Sequence, residues 1–188
     1  MLEVFYLYIK IKAMLNSKPN NSNYNQGNYI PKFKDKVIKI NTQGGVYFRS
    51  SWEKKIMTWL DNNSKITKWG AECMRIPYQM THFENGDSKV KEHCYYPDFY
   101  YEMRLEDDRL KQVVIEVKPM KEYKMVQDLN EGRLTVPDKG LKKLKNFEYD
   151  LKMAYKNKNK WETMINWCNK KGYEFIIITE LHLKKFNV

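Results

Sequence analysis

Two β-prone runs, Phe99–Leu105 and Lys111–Val117, flank the polar triplet Glu106-Asp107-Asp108 and commit the middle of the chain to a hairpin. Tyr96-Pro97-Asp98 leads into the first strand. The second ends in Val113-Val114-Ile115-Glu116-Val117-Lys118 and is stopped by Pro119. Side chains on a strand alternate between faces, so Glu116 and Lys118 project one way while Val113, Ile115 and Val117 project the other. Asp98 and Tyr100 share a face on the partner strand for the same reason. If the hairpin pairs these ends, two carboxylates and an ammonium converge on one patch. Alone, Glu-x-Lys on an amphipathic strand is usually a solvated face, and Pro-Asp is as often a turn. Both in this order, with the second inside a Val/Ile run, form a rarer combination.

The flanking segments predict the layers around this hairpin. Asn85-Gly86-Asp87 is a turn signal between Gln79–Phe83 and Val90–Tyr96. Upstream, Trp52, Ile56, Trp59 and Leu60 recur at helical spacing from Ser51, and Asp61-Asn62-Asn63 ends that helix. Short β-like runs follow at Ile66–Trp69 and Cys73–Tyr78, the latter interrupted by Pro77. Met120–Pro137 has weak periodicity and reads as a loop or lid with a short helical stretch. After Gly140, the stripe Leu141, Leu144, Phe147 or Glu148, Leu151 and Tyr155 predicts one helix. Trp161–Lys170 predicts a second, ended by Gly172. Phe175-Ile176-Ile177-Ile178 suits a strand buried on both faces, and a last short helix starts at Glu180. This order predicts an α/β fold, a central mixed β-sheet flanked by helices. Asn16–Asn28 is rich in Asn, Ser and Gly with few apolar residues, so residues 1–28 are expected to form a flexible extension and 29–188 one domain.

Composition narrows the partners. The 34 Lys and Arg against 23 Asp and Glu give a net charge of +11, which favours an anionic partner, nucleic acid before an acidic membrane surface. Aromatic residues are abundant, and ordinary packing accounts for most of them. Cys73, Cys94 and Cys168 are an odd, widely spaced set, which argues against a disulfide scaffold and fits a reducing cytoplasm. His93-Cys94 with Cys73 and His82 matches no usual zinc spacing. No run approaches the ~20 apolar residues of a membrane span. The short apolar Val4–Ile9 lacks the flanks of a signal peptide, and a start at Met14 would explain it equally well. There is no P-loop, so no nucleotide cofactor is expected.

Hydrolysis of a phosphodiester needs carboxylates to hold a divalent metal and a polar group to aim a water, and Asp98, Glu116 and Lys118 supply those types. Glu53, at the start of the first helix, offers another carboxylate. It also completes Ser50-Ser51-Trp52-Glu53, a capping box with Ser50 as N-cap, and a carboxylate folded back on its own helix cannot also bind metal. Arg49 could meet a phosphate or pair with a carboxylate, with phosphate slightly favoured. Glu72 could extend the acidic cluster or pair with Arg75. Lysines crowd Lys139–Lys160, a solvated helix face in most proteins and a DNA-backbone contact beside a nuclease site. No base-reading motif is present, which predicts weak sequence preference.

The chain resembles the head-completion nucleases of T-even-type tailed phages, members of the PD-(D/E)XK superfamily. The resemblance rests on Tyr47-Phe48-Arg49-Ser50-Ser51-Trp52-Glu53-Lys54, Trp59-Leu60-Asp61, Trp69-Gly70-Ala71-Glu72, Ile76-Pro77-Tyr78 and Tyr96-Pro97-Asp98. It continues through Ile115-Glu116-Val117-Lys118-Pro119-Met120-Lys121-Glu122, Lys160-Trp161 and Thr179-Glu180. It spans Tyr29 to the C-terminus and implies a restriction-endonuclease-like fold with Glu53, Asp98, Glu116 and Lys118 as the catalytic set. Asp98 and Glu116 would bind the metal, with the Val117 carbonyl and Glu53 as further ligands. The resemblance implies Mg²⁺, with Mn²⁺ able to replace it. Double-stranded DNA is the implied partner, contacted by Arg49, Lys54, Lys121, Lys142, Lys143 and Lys145, with phage portal or neck proteins as further partners. Such a protein acts in the host cytoplasm late in assembly, on packaged DNA ends, and can stay with the virion. Two other readings remain: a branched-DNA resolvase or transposon-type end-cleaving endonuclease, and a non-catalytic DNA-binding protein of the virion neck.

Overall fold

The computed structural model describes residues 25–84, 87–138 and 140–183. Nearly all of the expected N-terminal extension, and the Asn85-Gly86 turn, lie outside them. A four-stranded sheet forms the centre, in the order β3 (Ile66–Ala71), β6 (Phe99–Arg104), β7 (Leu110–Val117) and β8 (Glu174–Ile178). β3, β6 and β7 pair antiparallel, and β8 joins β7 in parallel, so the sheet is mixed. The two sides are separated by strand alternation. Val113 and Ile115 pack with Ile56, Met57 and Leu60 of α1 (Ser51–Asn62), while Val114 packs with Met164 and Cys168 of α3 (Leu141–Lys171). Helices on both faces of one sheet give the layered α/β fold that the element order predicts.

Two small sheets flank this core. β1 (Gly27–Tyr29) pairs with β2 (Val46–Phe48), and β4 (Ile76–Glu84) pairs with β5 (Asp87–Tyr95) as a long hairpin containing Pro77. The β1 segment is tied down by Asp61, which is fully buried near the end of α1. Its carboxylate accepts from the Tyr29 hydroxyl at 2.9 Å and from the backbone N–H groups of Lys32 at 2.6 Å and Phe33 at 3.1 Å. Asp61 thus does more than terminate its helix.

Three expectations are corrected. The Met120–Pro137 segment is mostly helical: α2 spans Met120–Asn130. Its own periodicity is weak because tertiary contacts hold it. Val126 packs with Ala154 and Trp161 of α3, and the Glu180 carboxylate accepts the N–H of Met120 at 2.8 Å. The two expected helices after Gly140 are one continuous helix, α3. The polar stretch Asn157–Lys160 carries neither Gly nor Pro, and its Asn157 is buried and donates to Glu122 of α2 at 3.2 Å. The apolar stripe at its start is exposed, Leu141 at 80 %, rather than packed on the sheet. Finally, Phe175, Ile176 and Ile177 are only half-buried because β8 lies at the edge of the sheet.

α3 ends as its sequence requires. Gly172 adopts the left-handed conformation (φ +70°), and the Tyr173 N–H returns to the Cys168 carbonyl at 2.9 Å. α4 (Glu180–Leu183) closes the described chain. No helix among the described residues is long and apolar enough to cross a membrane.

Candidate active site

The hairpin brings its two acidic ends together. β6 and β7 pair as far as Phe99 opposite Ile115, and Asp98, in the bend just before β6, continues past that pair to the end of β7, where it bonds Val117 and meets the charge of Glu116. Glu116 follows Val114 by two residues and so faces the α3 side of the sheet. The Glu116 side chain is buried and held at both oxygens. Tyr95 donates its hydroxyl to one at 2.7 Å, and the Lys118 ammonium lies 3.2 Å from the other. Asp98 accepts the Val117 N–H at 2.6 Å, and Lys118 is anchored by its own N–H to the Ile178 carbonyl at 2.9 Å.

Two carboxylates this close, Glu116 buried and Asp98 half-buried, cannot both ionise freely without a cation. Burial, and then the charge of Glu116, push the Asp98 carboxyl up to about 8, against the pull of the Val117 N–H and Lys118. Burial alone would lower the Lys118 pKa. Glu116, Asp98 and Glu122 outweigh it, so Lys118 stays charged. A pair of enclosed carboxylates whose negative charge is only partly offset suits a divalent cation, and Asp98 and Glu116 would hold it. Among the described residues no group of three or more His, Cys, Asp or Glu stands ready as a metal cluster, so Glu53 is not part of a preformed triad.

The raised Asp98 pKa has a consequence for stability. Unfolded, this carboxyl ionises near ~4, whereas the folded one keeps its proton up to about 8. Between those values the folded state binds more protons, so stability of the metal-free protein falls as pH rises across the interval. Asp98→Asn keeps an acceptor for Val117 and removes the titration. In chelator it is expected to flatten the decline and raise Tm by about 3 °C or more at the alkaline end, measured by thermal melts across pH.

Glu53 occupies the helix start. Ser50 accepts the Glu53 N–H at 3.1 Å, and the Glu53 carboxylate accepts the Arg49 N–H at 2.8 Å and contacts the Ser50 hydroxyl at 3.1 Å. The cap is therefore formed, displaced by one residue from the usual box. Glu53 nevertheless lines a cleft of about 320 Å³ with Asp98, Arg49, Glu72, Tyr96 and Lys39, and its charge acts on Asp98. Arg49 grips Glu72 with both guanidinium arms, one at 3.0 Å. Glu72 thus pairs with Arg49 rather than Arg75, while standing beside Asp98 and Glu53 on the cleft wall. Its left-handed backbone (φ +45°) lets its N–H reach the Asp98 carbonyl at 3.1 Å.

Residues 63–180 match the TnsA-like endonuclease N-terminal family. The chain is also 31 % identical over 135 residues to the head completion nuclease of Enterobacteria phage T4, covering 72 % of this chain and 79 % of that protein. The chain belongs to the TnsA-like endonuclease family. It is a nuclease with a restriction-endonuclease-like α/β fold, and nucleases of this kind generally use divalent metals. The family match takes in Asp98, Glu116 and Lys118 but begins after Glu53.

The remaining sequence-derived residues of this TnsA-like nuclease are spread out. Lys54 is exposed on α1 with its ammonium 5.7 Å above the Phe48 ring. Lys121 pairs with Asp150 at 2.6 Å. Lys142, Lys143 and Lys145 are exposed in the first turns of α3, roughly 22–27 Å along the axis from Lys160 at 1.5 Å per residue. The Val117 N–H serves Asp98, and its carbonyl role stays an expectation. One participant has no sequence signal: Tyr95 lies just before the Tyr96-Pro97-Asp98 motif, and it is the fold of the β4–β5 hairpin that brings its hydroxyl to Glu116.

Proposed function

We propose that this chain is a Mg²⁺-dependent DNA endonuclease that processes packaged DNA ends while a phage head is completed. The observation that carries the chemistry is the Asp98–Glu116 pair across adjoining strand ends, with Lys118 bound to Glu116. The head completion nuclease of phage T4 supports the biological setting. A divalent ion held by Asp98 and Glu116, with the Val117 carbonyl as a further ligand and Glu53 as another once it leaves its cap on Arg49 and Ser50, would polarise a phosphoryl oxygen and ready a water for attack. The protein supplies the rest. Tyr95 fixes the rotamer of Glu116, while Lys118 orients the water and offsets charge growing on phosphorus. Double-stranded DNA would run along the basic surface, with Lys54 and the start of α3 contacting its backbone. Arg49 would have to leave Glu72 to join them. Portal or neck proteins are the proposed docking partners, in the host cytoplasm and on the virion.

The TnsA-like match supports a second reading, a transposon-type end-cleaving or branched-DNA endonuclease. Cutting of linear, supercoiled and four-way-junction DNA separates the two. Preference for linear ends supports head completion, and preference for junctions overturns it. DNA binding with no cutting of any form would leave a non-catalytic neck protein.

Glu53 can be tested against its own cap. Ser50→Ala and Glu53→Gln are each expected to cost about 1 kcal/mol of stability as the helix start weakens. If Glu53 also serves the reaction, Glu53→Gln lowers single-turnover cleavage at least tenfold while Ser50→Ala cuts normally. Equal cutting by both would confine Glu53 to capping.

A further inference from the structure

Around the acidic centre two of the cations are already engaged. Lys118 is held by Glu116, and Arg49 is held by Glu72. A DNA phosphate approaching Asp98 and Glu116 meets their negative charge and needs a positive group that can turn toward it. Lys160 has that character. It sits half-buried in the middle of α3 with its ammonium 5.1 Å from the centroid of the Tyr95 ring, the same ring whose hydroxyl holds Glu116. Among the described residues it makes no hydrogen bond or ion pair, unlike Lys158 two residues earlier, which faces Glu162 at 3.8 Å.

Enclosing an ammonium without a carboxylate partner is costly, and an aromatic face repays only ~0.5–2 kcal/mol. The cost shows in the group itself. Burial lowers the Lys160 pKa, helped by the charges of Lys118 and Lys156 and opposed by Glu116 and Asp98. A structural lysine at this helix position would gain by reaching solvent or an acid. Parked on a ring, it is free to move to an anion at little cost.

We propose that Lys160 contacts a DNA phosphate at the cleavage site, as a second active-site lysine approaching from α3. This rests on the nuclease reading above, and it makes α3 part of the active site rather than only a cover for the sheet. Lys156, one turn earlier, extends the same positive edge.

The test uses the full chain and a fluorescent duplex. Binding is measured in EDTA across a salt series, and single-turnover cleavage in Mg²⁺, for wild type, Lys160→Met, Lys160→Arg and the control Lys158→Met, whose ammonium already faces Glu162. Thermal melts report whether each variant folds. Loss of one phosphate contact should reduce the slope of log K against log salt by about one in Lys160→Met, and lower the cleavage rate roughly a hundredfold. Lys160→Arg should keep the slope, and Lys158→Met should match wild type in rate. An unchanged slope in folded Lys160→Met overturns the proposal, whatever the rate does. Wild type that never cuts would instead sink the nuclease reading, and the EDTA binding series would still decide whether Lys160 meets phosphate.

Discussion

Glu116→Gln is expected to lower phosphodiester cleavage by at least ~10²-fold while leaving the fold intact. The substitution keeps the shape of the side chain, and its amide oxygen still accepts the Tyr95 hydroxyl now bonded at 2.7 Å. What disappears is one of the two negative charges that would hold a divalent ion. Stability should change little, because relief of the two competing carboxylates offsets the lost pairing of Glu116 with Lys118. The companion change is in titration: with the Glu116 charge gone, the Asp98 carboxyl should fall part of the way, burial still holding it above its ordinary value. Single-turnover cleavage and thermal melts read the two effects separately. A variant that is inactive because it is unfolded would fail this expectation.

Lys118→Met should lose both activity and stability. The ammonium lies 3.2 Å from Glu116, whose side chain is 3 % exposed, so its removal leaves a buried carboxylate supported by Tyr95 alone. Breaking a buried pair from one side costs roughly 3 kcal/mol, or about 6–12 °C in Tm for a chain of this size. Cleavage should fall at least ~10²-fold through lost stabilisation of charge on phosphorus. The double variant Lys118→Met/Glu116→Gln discriminates the two roles. It should regain most of the lost stability, since no unpaired charge remains, and none of the activity. Stability effects that simply add would contradict the coupling of these two groups.

Much of the site was legible because it lies on adjacent strands. Strand alternation put Glu116 and Lys118 on one face, and the Glu106-Asp107-Asp108 turn set a register that brings Asp98 to the Glu116 end of β7. The remainder depends on contacts between distant segments. Tyr95 reaches Glu116 through the packing of a separate hairpin, and Lys160 arrives from a helix whose continuity the polar Asn157–Lys160 stretch concealed. α2 was read as a lid because its single buried apolar residue, Val126, and its cap from Glu180 are tertiary features. The exposed Leu141 and Leu144 show the converse, helical spacing with no partner surface among the described residues. For Glu53 the sequence offered two roles, and the structure forms the cap while leaving the carboxylate on the wall of the cleft.

The central claim is that Asp98 and Glu116 carry metal-dependent cleavage of DNA. Its most direct test is cleavage of linear DNA by wild type, Asp98→Asn and Glu116→Gln, each with Mg²⁺ and with EDTA. Cutting by wild type in Mg²⁺ alone, lost in both folded variants, is the predicted result. Cutting that survives EDTA, or persists at the wild-type rate in either variant, would contradict it.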